Sequence, residues 1–283
     1  MESIKLWGTR GSTPISGPEY QHFGGNTSCM EIRLESAALL FDAGTGIRQA
    51  GIKLLADNVL DIALIISHFH WDHILGFPFF KPFYNSSCTV TIYAPGDSSE
   101  SIKHKLSTLM SSPFFPIELK DLRAQLRFQP LLPTQKIRGI TIACCTSNHP
   151  GGGTCFNIRT QNKHFGYCTD NEFLQGVIDK KQVDEQLINY QEQIALFSEL
   201  PLVIHEAQYM PEEYPFKIGW GHTCVSNGIE LIKAAKIKEW LITHHDPEST
   251  DEGLKHRCEY IQQRLDSENI DCNVRMAYDG MLL

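Results

Sequence analysis

The sequence predicts an α/β fold, on three observations. Short β-branched apolar runs alternate with stretches of helical spacing along the whole chain. Strand-like runs cluster in both halves, with no Pro/Gly/Ser-rich linker between them, so a single domain over residues 1–283 is expected. Strand after strand ends in a His or an Asp, the placement by which such scaffolds gather a site at one sheet edge. With 283 residues and 42% hydrophobic content, the chain can bury a sizeable core.

Residues 4–7 read as a first strand, running into the turn-rich Gly8-Thr9-Arg10-Gly11-Ser12-Thr13-Pro14. The loop 15–23 is either plain surface or a wall over a pocket. Residues 29–34 alternate apolar and polar and pair with 38–41 as a hairpin. Asp42 follows, as a turn residue or as a brace for a metal ligand. Ile47, Ala50, Leu54 and Leu55 give helical spacing over 46–57. Residues 62–66 form a buried strand, 89–94 another, and 98–110 a helix. The aromatic, proline-rich stretch 76–84 reads as a rigid loop on the core, or as an aromatic wall able to stack a ring. Surface insertions are expected near 97–133 and 171–198, the second as one or two amphipathic helices. Residues 137–145 read as one strand and 154–160 with 163–168 as a hairpin. A strand at 201–204, a helix at 224–235, a strand at 239–242, a helix at 250–265 and a strand at 273–276 complete the chain.

The heptad Ser67-His68-Phe69-His70-Trp71-Asp72-His73 leaves the strand 62–66 and reads H-x-H-x-D-H. Packing does not explain four potential ligands crowded into six residues. Imidazole and carboxylate together suit Zn, Fe or Mn rather than Mg or Ca. His149 follows a strand and precedes Pro150-Gly151-Gly152-Gly153; no G-K-[ST] follows, so a phosphate-binding P-loop is not supported. Asp170 and His244 also stand just past strands.

The net charge of −8 and pI near 5.8 oppose broad binding to nucleic acid, while a small anion held by metals stays compatible. No apolar run approaches the roughly 18–20 residues of a membrane span. Residues 1–5 lack the pattern of a signal peptide, and the nine cysteines include no C-x-x-C pair. Buried free thiols and a cytoplasmic location are the expectation.

Taken together these elements resemble the metallo-β-lactamase superfamily: H-x-H-x-D-H at 68–73, then His149, Asp170 and His244 in the family's order. The resemblance spans nearly the whole chain. It is closest to the phosphodiesterase branch that contains ribonuclease Z, through Gly8-Thr9-Arg10-Gly11, Phe41-Asp42-Ala43-Gly44, His205-Glu206-Ala207 and His222-Thr223. It implies a four-layer αββα sandwich, two mixed sheets face to face with helices outside. It implies two divalent metal ions, zinc first, with manganese or iron as alternatives. One ion would take His68, His70, His149 and Asp170; the other would take Asp72, His73, Asp170 and His244, with Asp170 bridging. The catalytic residues it implies are Asp72, which orients a hydroxide bridging the ions, and His222, oriented by Glu206, which serves the departing alkoxide. The other reading of His222 and Glu206 is a buried hydrogen bond stapling loop to strand. His205 reads as structural or supporting, and His245 as a supporting residue or a substrate contact.

Ribonuclease Z carries a long arm that grips tRNA, in many members between the elements matching His149 and Asp170. Here 20 residues separate those two, enough for one hairpin. The expected substrate is therefore a small phosphodiester, a cyclic nucleotide or short oligonucleotide, with no extended nucleic-acid surface and no membrane partner. A homodimer is carried by the resemblance alone. The alternatives are lactone or thioester hydrolysis on the same metals, a tRNA 3′-end endonuclease, and a metal-binding scaffold or sensor. Against the last, all seven ligand positions are filled.

Overall fold

The computed structural model describes residues 2–283, which group into two compact units. Among the described residues, thirteen strands form two mixed sheets, one in each unit.

The first unit comprises the described residues through Pro14 together with Asn26–Leu132 and Asp279–Leu283. Its sheet runs in chain order: β1 (Ser3–Gly8), β2 (Cys29–Arg33), β3 (Ala37–Phe41), β4 (Asp61–Ile65), β5 (Thr89–Ala94) and β6 (Gln125–Pro130). The first three strands pair antiparallel and the last four parallel. Helices α1 (Ile47–Ala56), α2 (Trp71–Ile74) and α3 (Ser99–Leu109) lie in the parallel connections. Strand β4 has a parallel neighbour on either side, which is why its sequence is continuously apolar; Ile62, Ala63, Leu64 and Ile65 are all buried. Phe77, Phe80 and Phe83 are buried against this sheet's core, so the stretch 76–84 is chiefly core and leaves Phe79 exposed. Ser98 Oγ accepts from the Ser101 N–H and sets the start of α3. Residues 125–130, inside the stretch expected as a surface insertion, form the edge strand β6. Its residues alternate between exposed and half-buried, so the apolar signal that marks β4 is missing.

The second unit comprises Ile15–Gly25 and Pro133–Tyr278. Its sheet also runs in chain order: β7 (Thr134–Ile137), β8 (Ile140–Thr146), β9 (Thr154–Arg159), β10 (His164–Cys168), β11 (Leu202–Glu206), β12 (Glu239–Thr243) and β13 (Asn273–Met276). Strands β7 to β10 pair antiparallel and β10 to β13 parallel. Helices α4 (Val183–Leu187) and α5 (Gln191–Phe197) precede β11, α6 (Val225–Ala235) precedes β12, and α7 (Asp251–Ser267) precedes β13. Phe173, Phe197, Val203, Ile229, Trp240, Leu254 and Ile261 belong to its core. The strand expected over 137–145 is found as β8 but starts three residues later, at Ile140, because 137–139 close a hairpin with β7. Ile137 pairs with Ile140 across Arg138 and Gly139, which take φ of 50° and 88°. Positive φ at both central residues is the tight hairpin turn that matches strand twist.

Strands β10, β11 and β12 are parallel and adjacent, with Cys168 opposite His205 and Glu206 opposite Thr243. Their carboxyl ends therefore share one edge, where ligands of parallel sheets collect. Asp170, Glu206 and His244 all belong to that edge. Among the described residues no helix is long and apolar enough to cross a membrane. All nine cysteines are free, and seven are buried.

Candidate metal centre

In the first unit the heptad follows the end of β4 as a bent loop to His70, whose own backbone is extended, and turns into α2. His68, Asp72 and His73 are buried, while His70 and Trp71 are exposed. Asp42, just past β3, has φ of 64°, a conformation Asp tolerates better than most residues. There its Oδ1 accepts the Ser67 N–H at 2.7 Å and its Oδ2 lies 3.0 Å from His73 Nδ1. A carboxylate oxygen this close favours the tautomer with its proton on Nδ1 and the lone pair on Nε2. That Nε2 faces Asp72 Oδ2 at 3.2 Å, and the same oxygen accepts the Ser12 N–H at 2.8 Å. Two buried acceptors facing each other call for a proton or a cation between them, which is the test a metal pair of this type must pass. The histidine braced from behind by a carboxylate is also the arrangement that sets a metal ligand's tautomer. Ser12 gave no signal in the sequence because it acts through its backbone.

In the second unit His149 Nε2 lies 3.7 Å and His244 Nε2 3.1 Å from Asp170 Oδ1. His149 Nδ1 is 2.9 Å from the Gly221 carbonyl oxygen, an acceptor, so the proton sits on Nδ1 and Nε2 carries the lone pair. Burial holds the His149 imidazole below its ordinary pKa, in the neutral form a ligand needs. His244, like Asp42, sits in the left-handed region, at φ 54°, where strained backbone marks functional positions. Gln208 Nε2 donates to its carbonyl.

His222 Nδ1 stands 3.1 Å from Glu206 Oε1, which also accepts the Asn171 N–H at 2.8 Å. Glu206 is fully buried, and burial pushes its carboxyl well above the ordinary range. His149, Asp170 and His222 each offer a donor atom within 4.8 Å of the others, so the pair adjoins the ligands of this unit.

Three further residues shape this edge. Glu172, fully buried, accepts from the Tyr214 hydroxyl at 2.8 Å, the Gly219 N–H at 2.8 Å and the Gly221 N–H at 3.0 Å. It thereby fixes the loop that carries both the carbonyl facing His149 and the His222 ring. Gly221 has φ of 89°, and a Cβ there would stand 2.2 Å from His149 Nδ1. Neither signal is visible in one sequence, because an acid after Asn171 and a glycine before a histidine are common in turns. Asn171 donates to Glu206 through its backbone and lies 3.1 Å from His205 Nε2 through Nδ2. His205 and His245 stay out of the cluster. His205 Nδ1 bonds the Glu206 carbonyl at 2.7 Å and His245 Nε2 the Ala277 carbonyl at 2.8 Å, as supporting residues.

The donor set of each unit thus fits a borderline divalent cation: imidazoles and carboxylates, with tautomers fixed from behind. The model of the β-lactamase superfamily domain matches residues 38–245. The chain belongs to the metallo-β-lactamase superfamily. Among curated relatives, ribonuclease Z of Pyrococcus abyssi is 32% identical over 108 residues, 37% of this chain and 35% of that protein. The chain spans between 35% and 37% of the length of the first three relatives it matches. Ribonuclease Z of Pyrococcus furiosus is 25% identical over 260 residues, 78% of this chain and 81% of its own. Among solved structures, the metallo-β-lactamase fold protein YhfI of Bacillus subtilis aligns at a TM-score of 0.70 and 16% identity, covering 100% of this chain and 98% of that one. Unliganded yeast PDE1 aligns at 0.68 and 15% identity, covering 100% and 99%. These two likenesses establish the fold.

Proposed function

We propose that this protein is a metal-dependent hydrolase, a dinuclear phosphodiesterase acting on a small phosphodiester, a cyclic nucleotide or a short oligonucleotide. His68, His70, His149 and Asp170 would hold one ion, and Asp72, His73, Asp170 and His244 the other, zinc before manganese or iron; the family match spans all seven residues. When bound, such a pair supplies Lewis acidity and lowers the pKa of water from 15.7 to about 7, so that a nucleophile exists at neutral pH.

The chain's own residues do the rest. Asp72, held by the Ser12 N–H, orients the attacking water. His222 delivers a proton to the alkoxide oxygen as the P–O bond breaks, and Glu206 fixes its ring through Nδ1. That pair is the observation that carries the reading, because an expelled alkoxide needs a proton at the atom that leaves. The names of the relatives, ribonuclease Z, and of one structural neighbour, PDE1, support phosphodiester chemistry. A small substrate is supported by the hairpin β9–β10, which takes up the segment between His149 and Asp170, and by the charge of −8.

The test is turnover by metal-replete protein. Bis(p-nitrophenyl) phosphate and a panel of cyclic nucleotides are compared with a lactone, a thioester and a precursor tRNA bearing a 3′ trailer. Hydrolysis of the first two sets is expected. Activity confined to the lactone or thioester overturns the reading, and activity confined to the tRNA replaces the substrate.

A further inference from the structure

Trp71 stands between His70 and Asp72 as the first residue of the four-residue helix α2, and 61% of it is exposed. Among the described residues its indole has no hydrogen-bond, ring-stacking or cation–π partner. The other three tryptophans are all engaged. Trp7 Nε1 donates to Glu31 with Lys5 over its ring, Trp220 lies under Lys217, and buried Trp240 donates to the His205 carbonyl. The residue on the other side of His70, Phe69, has Lys105 Nζ 4.6 Å from its ring centroid. The metal-ligand loop of the first unit thus offers an uncommitted aromatic face and a nearby ammonium. A planar ring joined to an anion is the ligand chemistry that matches both.

We propose that Trp71 stacks on the base of a nucleotide substrate, and so makes the enzyme prefer base-bearing over base-free phosphodiesters. This rests on the phosphodiesterase reading and names the substrate class within it. Stacking reads the area of a π face rather than its hydrogen-bonding edge, so purines are preferred over pyrimidines.

The probes are 3′,5′-cyclic AMP, 3′,5′-cyclic CMP and glycerophosphocholine, a phosphodiester without a ring. Trp71→Leu keeps apolar bulk and removes the π face; Trp71→Phe keeps a smaller face. Trp71→Leu is expected to raise KM for cyclic AMP about 10-fold or more, Trp71→Phe less. The loss on cyclic AMP should exceed that on glycerophosphocholine by the same order, with metal content unchanged by elemental analysis. Equal losses on both substrates, or no loss on cyclic AMP, overturn the proposal. A second readout needs no turnover: AMP should quench the tryptophan emission of the wild type, glycerol 3-phosphate should not, and Trp71→Phe should lose the quench. Quenching that persists in Trp71→Phe also overturns it, as does a dimer-to-monomer shift of Trp71→Leu in sedimentation velocity, which would assign the indole to an interface between copies. Should the wild type leave all phosphodiesters untouched, the phosphodiesterase reading fails; the quench then decides the nucleotide site separately.

Discussion

At the scale of the residue, the chemistry turns on which nitrogen of each imidazole carries the lone pair. His73 and His149 both have Nδ1 committed, to the Asp42 carboxylate and the Gly221 carbonyl, so each offers Nε2. His222 is also held at Nδ1, by Glu206, and in the proposed mechanism its Nε2 meets the leaving group. His222→Ala is accordingly expected to lower kcat by roughly 10²–10⁴ on a substrate that expels an unactivated alkoxide. The loss should be much smaller with p-nitrophenoxide, which departs without a proton. Steady-state kinetics on the two leaving groups check this, and equal losses on both would reduce His222 to a staple. The ligand types at 68–73 were legible in the sequence because four of them share one loop. Their supports were not: Asp42 showed two possible roles, and Ser12, Glu172 and Gly221 act through a backbone amide, a buried carboxylate in a turn and a missing side chain.

At the scale of the element, the strand ends place the ligands, and loops orient them. Gly221→Ala brings a Cβ against His149 Nδ1 at 2.2 Å on a backbone with φ of 89°. The expected result is a zinc affinity about 10–100-fold weaker, the range for disturbing a group that orients a ligand, with a native circular-dichroism spectrum. Competition with a zinc-binding dye measures it; an unchanged affinity would mean the loop relaxes without moving His149. Buried strands such as β4 and β12 are legible in the sequence within a residue or so, because burial on both faces imposes apolar runs, and β5 because β-branched residues fill it. The edge strand β6 was read as an insertion because it needs no such run. The turn at Arg138-Gly139 is not the usual Asn-Gly or Asp-Gly, so the sequence over 137–145 runs on as strand where the structure turns into β7.

At the scale of the whole molecule, the sequence led to the α/β class with two mixed sheets because the order of His and Asp motifs along the chain is more specific than any one of them. Stability carries a further mark of the site's supports. Burial lowers the His205 pKa to about 4, against roughly 6.5 when unfolded. Between those values the unfolded chain binds a proton that the folded chain excludes, so stability is full above pH 6.5 and falls as pH drops toward 4. Over that window the loss from this group is at most about 3 kcal/mol. Urea unfolding of the metal-free protein should show the decline, and His205→Gln, whose amide can still bond both neighbours, should flatten it by about one proton. An identical slope in the variant would remove His205 from the account. The loop from Tyr214 to His222 has a consequence for how the enzyme can change. One carboxylate, Glu172, anchors a segment that, on the proposed reading, serves both cation capture and proton delivery. Retooling that segment for a different leaving group therefore disturbs cation affinity in the same step, so new specificities are more readily acquired elsewhere, on surfaces that bear no such double duty.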